Sequence, residues 1–133
     1  MSDSVQFQGR ILFLCGDPEK LRRQVAGEDL ALEEALPLRD QVGTDEITPP
    51  WVSYFFDARL GDFPYIGLKC EDQFPLGEGS VKRGRFQVSV SGKWRGKGSS
   101  REASPYAEWC AGIRLVLAES FDPVYQQNCQ NLG

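Results

Sequence analysis

The fold of this chain is decided by residues 84–123, which read GRFQVSVSGKWRGKGSSREASPYAEWCAGIRLVLAESFDP. At 84–91, a phenylalanine and two valines alternate with glutamine and serines, which is the pattern of a half-buried strand. A helix is predicted over 105–111, and the apolar run at 113–118 predicts a second, buried strand. Strand, helix and strand at this spacing predict a parallel unit and an α/β fold.

The start of the predicted helix has two possible registers. Ser99 with Glu102 would make a capping box, whereas Ser104 followed by Pro105 would make an N-cap and a first-turn proline. A proline in the sixth helical position is costly. We therefore expect a tight turn at 99–103 and a helix that begins at Pro105.

The remaining elements are predicted from short local signals. Residues 9–15 are apolar and predict a buried strand, and 18–36 predict one or two helices with Asp17 as the N-cap. Residues 59–65 are expected to form a loop. Asp122 precedes a proline and is expected to open a final helix that ends at about Asn128.

The segment 96–102 places two hydroxyls and one guanidinium between a predicted strand and a predicted helix. A helix N-terminus offers unpaired N–H groups and a partial positive charge. With Ser99, Ser100 and Arg101 added, this arrangement suits a carboxylate or a phosphate. The structural alternative is a well-capped helix without a ligand.

Composition indicates one globular domain over 1–133, because the 133 residues are 41% hydrophobic and include 14 glycines. No apolar run approaches the roughly 18 residues of a membrane span, so no membrane partner is expected. The first four residues lack the basic start of a signal peptide, which predicts a cytoplasmic protein. The four cysteines form no CxxC pair and histidine is absent, so we expect reduced thiols and no metal site on this chain.

The net charge of −4 hides a basic segment. Residues 79–101 carry seven basic residues and no acidic one, which leaves eight basic against 19 acidic residues elsewhere, a balance of −11. Positive charge on an acidic protein suggests an anion site, and a solvated pair of strands with basic edges is the alternative.

Two blocks of sequence resemble the aconitase superfamily. Residues 98–102 (GSSRE), followed by 111–121 (AGIRLVLAESF) and 128–133 (NCQNLG), stand in the order found in its swivel domain; residues 40–49 (DQVGTDEITP) resemble the other signature of that domain. The resemblance implies an α/β swivelling domain of the isopropylmalate dehydratase small-subunit type. Residues 1–37 are then a divergent N-terminal extension.

The resemblance also implies chemistry. Members of the superfamily dehydrate and rehydrate hydroxy di- or tricarboxylic acids, with a 4Fe-4S cluster as Lewis acid. The cluster is carried by a separate large subunit or a C-terminal domain, so this chain would be inactive without that partner. Whether the partner is in cis or in trans stays open.

Roles carried over by the resemblance fall on five residues. Ser99 matches the catalytic base, whose pKa nearby N–H groups and cations must lower, and Asp45 matches an acidic residue near it. Ser100 and Arg101 match the groups that bind a substrate carboxylate. The usual substrate arginine is replaced by Asp57, and Arg59 is the candidate to take its place.

Other departures point to a divergent branch. Ala103 and Glu46 stand where relatives often carry histidines, and the aromatic segment 51–56 suggests a substrate with an apolar or bulky substituent. The alternative function is a non-catalytic module that senses a carboxylate or binds RNA through residues 79–101. The net acidity of the chain argues against a nucleic-acid partner.

Overall fold

A parallel three-stranded sheet forms the centre of the protein in the computed structural model, which describes residues 9–48, 58–96 and 103–132. The strands are β1 (Arg10–Phe13), β2 (Phe86–Val90) and β3 (Leu115–Leu117), and they lie in the order β1-β2-β3. Both pairings are parallel. The predicted α/β class and the parallel unit around β2 are therefore confirmed.

Strand β2 differs from its prediction in one respect, because both of its faces are buried. Ser89 is 0% and Ser91, just beyond the strand, 1% exposed, whereas alternation predicted exposed serines. Their hydroxyls have interior partners. The Tyr65 hydroxyl lies 2.8 Å from Ser89 Oγ, and Arg95 Nη1 donates to Ser91 Oγ at 3.0 Å. Ser89 and Ser91 therefore face a buried polar cluster instead of water.

Seven helical segments surround the sheet in the part of the chain that the structure describes. They are α1 (Pro18–Val25), α2 (Leu32–Ala35), α3 (Thr44–Ile47), a 3₁₀ helix (Ala58–Asp62), α4 (Ser80–Gly84), α5 (Ala103–Cys110) and α6 (Pro123–Leu132). The predicted caps are present: Glu19 N–H donates to Asp17 Oδ1 at 2.9 Å, and Val124 N–H donates to Asp122 Oδ1 at 3.0 Å.

Several boundaries differ from the sequence predictions, and α6 runs to Leu132 instead of ending at about Asn128. The expected loop at 59–65 begins with the 3₁₀ helix. Helix α5 begins at Ala103, two residues before the predicted Pro105, so Ser104 lies inside the helix and bonds to another element. Strand β3 is shorter than 113–118 and partly open, with Leu117 47% exposed.

One main core joins the sheet to most of the helices, and residues 10–37 contribute to it. Leu12 and Leu14 from the β1 region and Leu21 from α1 are fully buried in this core. A smaller cluster of Leu60, Phe63 and Ala107 packs the 3₁₀ helix against α5. No helix among the described residues is long and apolar enough to cross a membrane.

Candidate functional site

The predicted site residues divide between described and undescribed parts of the chain. Ser99, Ser100 and Arg101 lie in 97–102, outside the described residues. The structure does place the residues on both sides of that segment, and it places Asp45 and Arg59. The surroundings of the segment can therefore be built from its two ends.

The upstream end of the segment lies along residues 39–42, which lead into α3. Gly96 N–H donates to Val42 O at 2.7 Å, so the last residue before position 97 is fixed to the chain just ahead of α3. Further bonds continue the contact: Gly92 N–H to Arg39 O at 2.9 Å, Gln41 N–H to Lys93 O at 2.7 Å, and Lys93 N–H to Asp40 Oδ1 at 2.7 Å.

The downstream end is also fixed to α3. Ser104, in the first turn of α5, donates to Thr44 O at 3.2 Å and shares a 2.6 Å hydrogen bond with the Thr48 hydroxyl. All three residues are buried. The stretch from Val42 to Thr48, which contains α3, therefore contacts the residue just before 97–102 and the first turn of the helix after it.

Asp45 lies on α3, between these two attachments. Its side chain is exposed. The following residue, Glu46, is bound to Arg39 by a 2.6 Å ion pair and accepts a hydrogen bond from Gly43 N–H at 3.3 Å. Asp45 therefore lies on a turn that is fixed by its neighbours, and its role near Ser99 stays a prediction.

Gly96 is held in a conformation that only glycine adopts without strain. Its φ is +88°, in the left-handed region. A Cβ atom there would lie 2.2 Å from Cγ of Tyr125, on α6. Gly96, which leads into 97–102, therefore packs directly against α6.

Arg59 lies on the 3₁₀ helix with an exposed side chain. That helix packs closely on the end of α5, where a Cβ on Gly61 would lie 2.8 Å from the carbonyl carbon of Cys110. Tyr65 N–H, just beyond it, donates to Ile47 O at 2.9 Å. Arg59 is thus carried by an element that packs on α5, and the chain just beyond that element is bound to the end of α3. The role of Arg59 as a substrate ligand stays a prediction.

A buried polar cluster lies behind this site. Arg95 and Glu108 form an ion pair at 0% and 2% side-chain exposure. Glu108 also accepts from the hydroxyls of Tyr65 and Tyr125, the latter at 2.5 Å, and Arg95 donates to the same two hydroxyls at 2.8 and 3.3 Å. With Ser89 and Ser91, these residues make up what we call the Arg95–Glu108 cluster.

The electrostatics of the cluster follow from its burial. Burial raises the pKa of the Tyr65 and Tyr125 hydroxyls well above their ordinary values, and the adjacent Glu108 adds to this effect. Burial opposes the charge on Arg95, but the oxygens of the two tyrosines and of Glu108 outweigh it and raise its pKa. The tyrosines therefore stay neutral and Arg95 stays charged at any physiological pH.

Sequence reasoning missed this cluster and counted Arg95 among the basic residues of 79–101. Arg95 contributes no surface charge, and Lys82 pairs with Asp62 at 3.1 Å, so this segment offers less positive surface than its composition suggests. One signal was available, because Glu108 is the only charged residue in the apolar stretch 103–113. A lone carboxylate within a buried helix requires a buried partner.

A cavity of about 320 Å³ opens on the other side of Glu108, between α5, β3 and α6. Trp109, Leu115, Phe121 and Cys129 are among its lining residues. Neither Asp45 nor Arg59 lines it.

The cysteines of this chain do not fit an iron–sulfur cluster. Such clusters are held by thiolates. Burial raises the pKa of Cys15 and of Cys129 to about 11 and also raises that of Cys70, so these thiols hold their protons. Across 9–48, 58–96 and 103–132, no group of three or more cysteines and acidic residues is arranged to hold a metal ion.

The sequence block and the fold together define the class of protein. Residues 67–133 match the aconitase C-terminal domain family, and the chain belongs to that family. Its α/β fold is also that of a solved relative, the crystal structure of 3-isopropylmalate dehydratase from Methanocaldococcus jannaschii. The match has a TM-score of 0.53 and 31% identity, and covers 67% of this chain and 50% of that one.

Two curated relatives are also named as small subunits of a dehydratase or an isomerase. The chain is 41% identical over 95 residues to the 3-isopropylmalate dehydratase small subunit of Moorella thermoacetica, covering 71% of this chain and 53% of the relative. It is 37% identical over 95 residues to the isopropylmalate/citramalate isomerase small subunit of Methanocaldococcus jannaschii, covering 71% and 52%. The chain thus spans about half the length of the curated relatives it matches.

Proposed function

We propose that this chain is the swivel-domain component of an aconitase-family hydro-lyase or isomerase that acts on a hydroxy di- or tricarboxylic acid. The observation that supports the proposal is the attachment of 42–48 to both flanks of 97–102, at Gly96 and at Ser104. Asp45 lies within this attached stretch, and 97–102 carries two serines and an arginine. The names of the relatives support the reaction class.

Within this proposal, Ser99 takes the proton α to a substrate carboxylate. A free serine is far too weak a base, so the site must stabilise its alkoxide with cationic charge and N–H donors. Arg101 offers a planar fork that matches a carboxylate, and the Ser100 hydroxyl adds a donor. In this proposal Asp45 orients the base or exchanges a proton with it, and Arg59 is a candidate to bind a second substrate carboxylate.

The reaction also requires removal of a hydroxyl, and this chain holds no ligand set for a metal among its described residues. We assign to it only substrate binding and proton transfer. A 4Fe-4S cluster on a partner subunit or on a further domain is the proposed source of the remaining chemistry. The partner is therefore expected to be obligatory for turnover.

The test is reconstitution with a cluster-bearing partner under anaerobic conditions, assayed with isopropylmalate, citramalate, citrate, homocitrate and methylcitrate. We expect turnover of at least one acid by the complex and none by the isolated chain. Ser99→Ala should lower kcat by about 100-fold or more, because the base that removes the proton is lost. Ser100→Ala should mainly raise KM.

Arg114→Lys provides a matched control, because Arg114 is exposed and stacks on Trp109. It should leave both constants unchanged. Turnover by the isolated, iron-free chain would refute the need for a partner. An unchanged kcat in Ser99→Ala would remove Ser99 from the role of base.

A further inference from the structure

The Arg95–Glu108 cluster lies at the junction between the sheet and the two ends of 97–102. Arg95 comes two residues before the segment, and Glu108 lies on α5, which begins directly after it. The ion pair therefore joins the strand side of the segment to its helix side. A cross-link at this position fixes the separation of the two ends, whatever path the six residues between them take.

Arg95 is also fixed through its backbone. Its N–H donates to Ser120 O at 3.0 Å, and its carbonyl accepts from Asp122 N–H at 2.8 Å. Neither backbone group can move without breaking contact with the turn that opens α6. The fixed backbone of Arg95 thus holds the guanidinium in the interior. There it contacts side chains from the end of β2, from α5 and α6, and from the Tyr65 turn.

Tyr65 connects the cluster to α3. Its hydroxyl is bound to Arg95 and Glu108, and its backbone N–H is bound to Ile47 of α3. Its φ is +68°, an uncommon value for a residue other than glycine, so the surrounding contacts must hold it there. The cluster consequently links α5 and α6 to α3.

We propose that Arg95 and Glu108 are positioning residues, which set the placement of the segment 97–102 and of its serines by locking β2 to α5. The catalytic part of this inference rests on the proposed function, whereas the mechanical part does not. A buried apolar pair could fill the same volume but would not fix direction, because only the charged fork demands one arrangement of its partners. The cluster touches no substrate atom and acts through the segment.

The test compares cluster variants with a buried polar variant elsewhere. Glu108→Gln removes the charge and keeps the shape, and Tyr65→Phe removes one hydroxyl from the cluster. Gln24→Leu is the control, since Gln24 is fully buried and hydrogen-bonded on α1, against β1. Each variant is measured at the same number of degrees below its own unfolding midpoint, so that lost stability alone cannot produce a difference between variants.

Hydrogen exchange on peptides covering 94–105 is the first readout and needs no activity. We expect faster exchange in both cluster variants and unchanged exchange in Gln24→Leu. Equal exchange in all three proteins would overturn the proposal. Tyr65→Phe keeps the test valid if Glu108→Gln does not fold, because its ring and most of its packing remain.

Kinetics of the reconstituted complex with isopropylmalate, citramalate and citrate are the second readout. We expect kcat to fall roughly 10- to 100-fold in Tyr65→Phe with KM nearly constant, as for a misplaced base. Gln24→Leu should retain the kcat of the wild type. Absence of turnover in the wild-type complex would refute the proposed function, while the exchange data would still judge the positioning role; normal kcat with faster exchange would overturn its catalytic part.

Discussion

Two regions of the interior bury polar side chains, and they do so in opposite ways. Gln24 is neutral and pairs with backbone: Phe13 N–H donates to its Oε1 at 2.8 Å, and its Nε2 donates to Phe13 O at 2.9 Å. Arg95 and Glu108 are charged and pair with side chains that come from four separate elements. The Gln24 contacts complete one edge strand, whereas the contacts of Arg95 and Glu108 connect distant parts of the fold.

The difference lies in what each arrangement requires of the rest of the protein. Backbone partners are present whatever the local sequence, so the Gln24 contacts need only one suitable side chain. The Arg95–Glu108 cluster needs all of its members at once, because a buried charge without its partner is far more costly than a neutral amide without one. Disrupting the two regions separately should therefore give very different losses of unfolding free energy.

The largest expected effect comes from Glu108→Ala. It leaves Arg95 charged and uncompensated in the interior, which should cost about 3–5 kcal/mol of unfolding free energy. Urea denaturation followed by circular dichroism measures it. A loss below about 1 kcal/mol would mean that water reaches the guanidinium and that the pair is not a buried one.

A smaller effect is expected from Gln24→Leu. The backbone N–H and carbonyl of Phe13 lose their partner at the edge of β1, which should cost about 1–3 kcal/mol. The same denaturation experiment applies, with Gln24→Glu as a companion that keeps one acceptor. If Gln24→Leu were as damaging as Glu108→Ala, the contrast between neutral and charged burial would fail.

The smallest effect concerns alkaline pH. Burial raises the pKa of Cys15, next to the Gln24 region, from 9.0 to about 11, and that of Cys129, next to Glu108, by a similar amount. A thiol that ionises more readily when unfolded stabilises the fold below pH 9 and loses that contribution as pH rises through 11. Stability should therefore decline over this range.

Cysteine variants assign that decline to the two regions. Cys15→Ala should remove one part and Cys129→Ala the other, each measured as the slope of unfolding free energy between pH 8.5 and about 10.5. The slope in the double variant should be flatter than in either single variant. A slope unaffected by both substitutions would show that other groups, such as the buried tyrosines, dominate.

Local signals predicted much of the fold. Apolar runs located β1 and β3, alternation located β2, and aspartate followed by proline marked the starts of α1 and α6. These predictions succeeded because caps and strand patterns depend on neighbours in sequence. The 3₁₀ helix at Ala58–Asp62 was missed since it is stabilised by packing on α5, a contact that no local pattern encodes.

The site was predictable only in part. The resemblance to a family assigned 40–49 and 98–102 to one site, and residues 42–48 of the first block contact both flanks of the segment that contains the second. The burial of Ser89 and Ser91 was not predictable from alternation, because it depends on Arg95 and Tyr65. Roles for Ser99, Ser100 and Arg101 stay predictions, since 97–102 lies outside the described residues.

The parallel sheet also has a consequence for the order in which the protein forms. Arg10 pairs with Phe86, and Val88 pairs with Leu115, so the central strand joins parts of the chain that are synthesised far apart in time. Tyr125, which completes the cluster, emerges later still. Contacts so distant in sequence make folding slow. A nascent chain that has Arg95 and Glu108 already, but not yet α6, lacks the Tyr125 hydroxyl that contacts both of them, so the cluster is completed only after Tyr125 has been made.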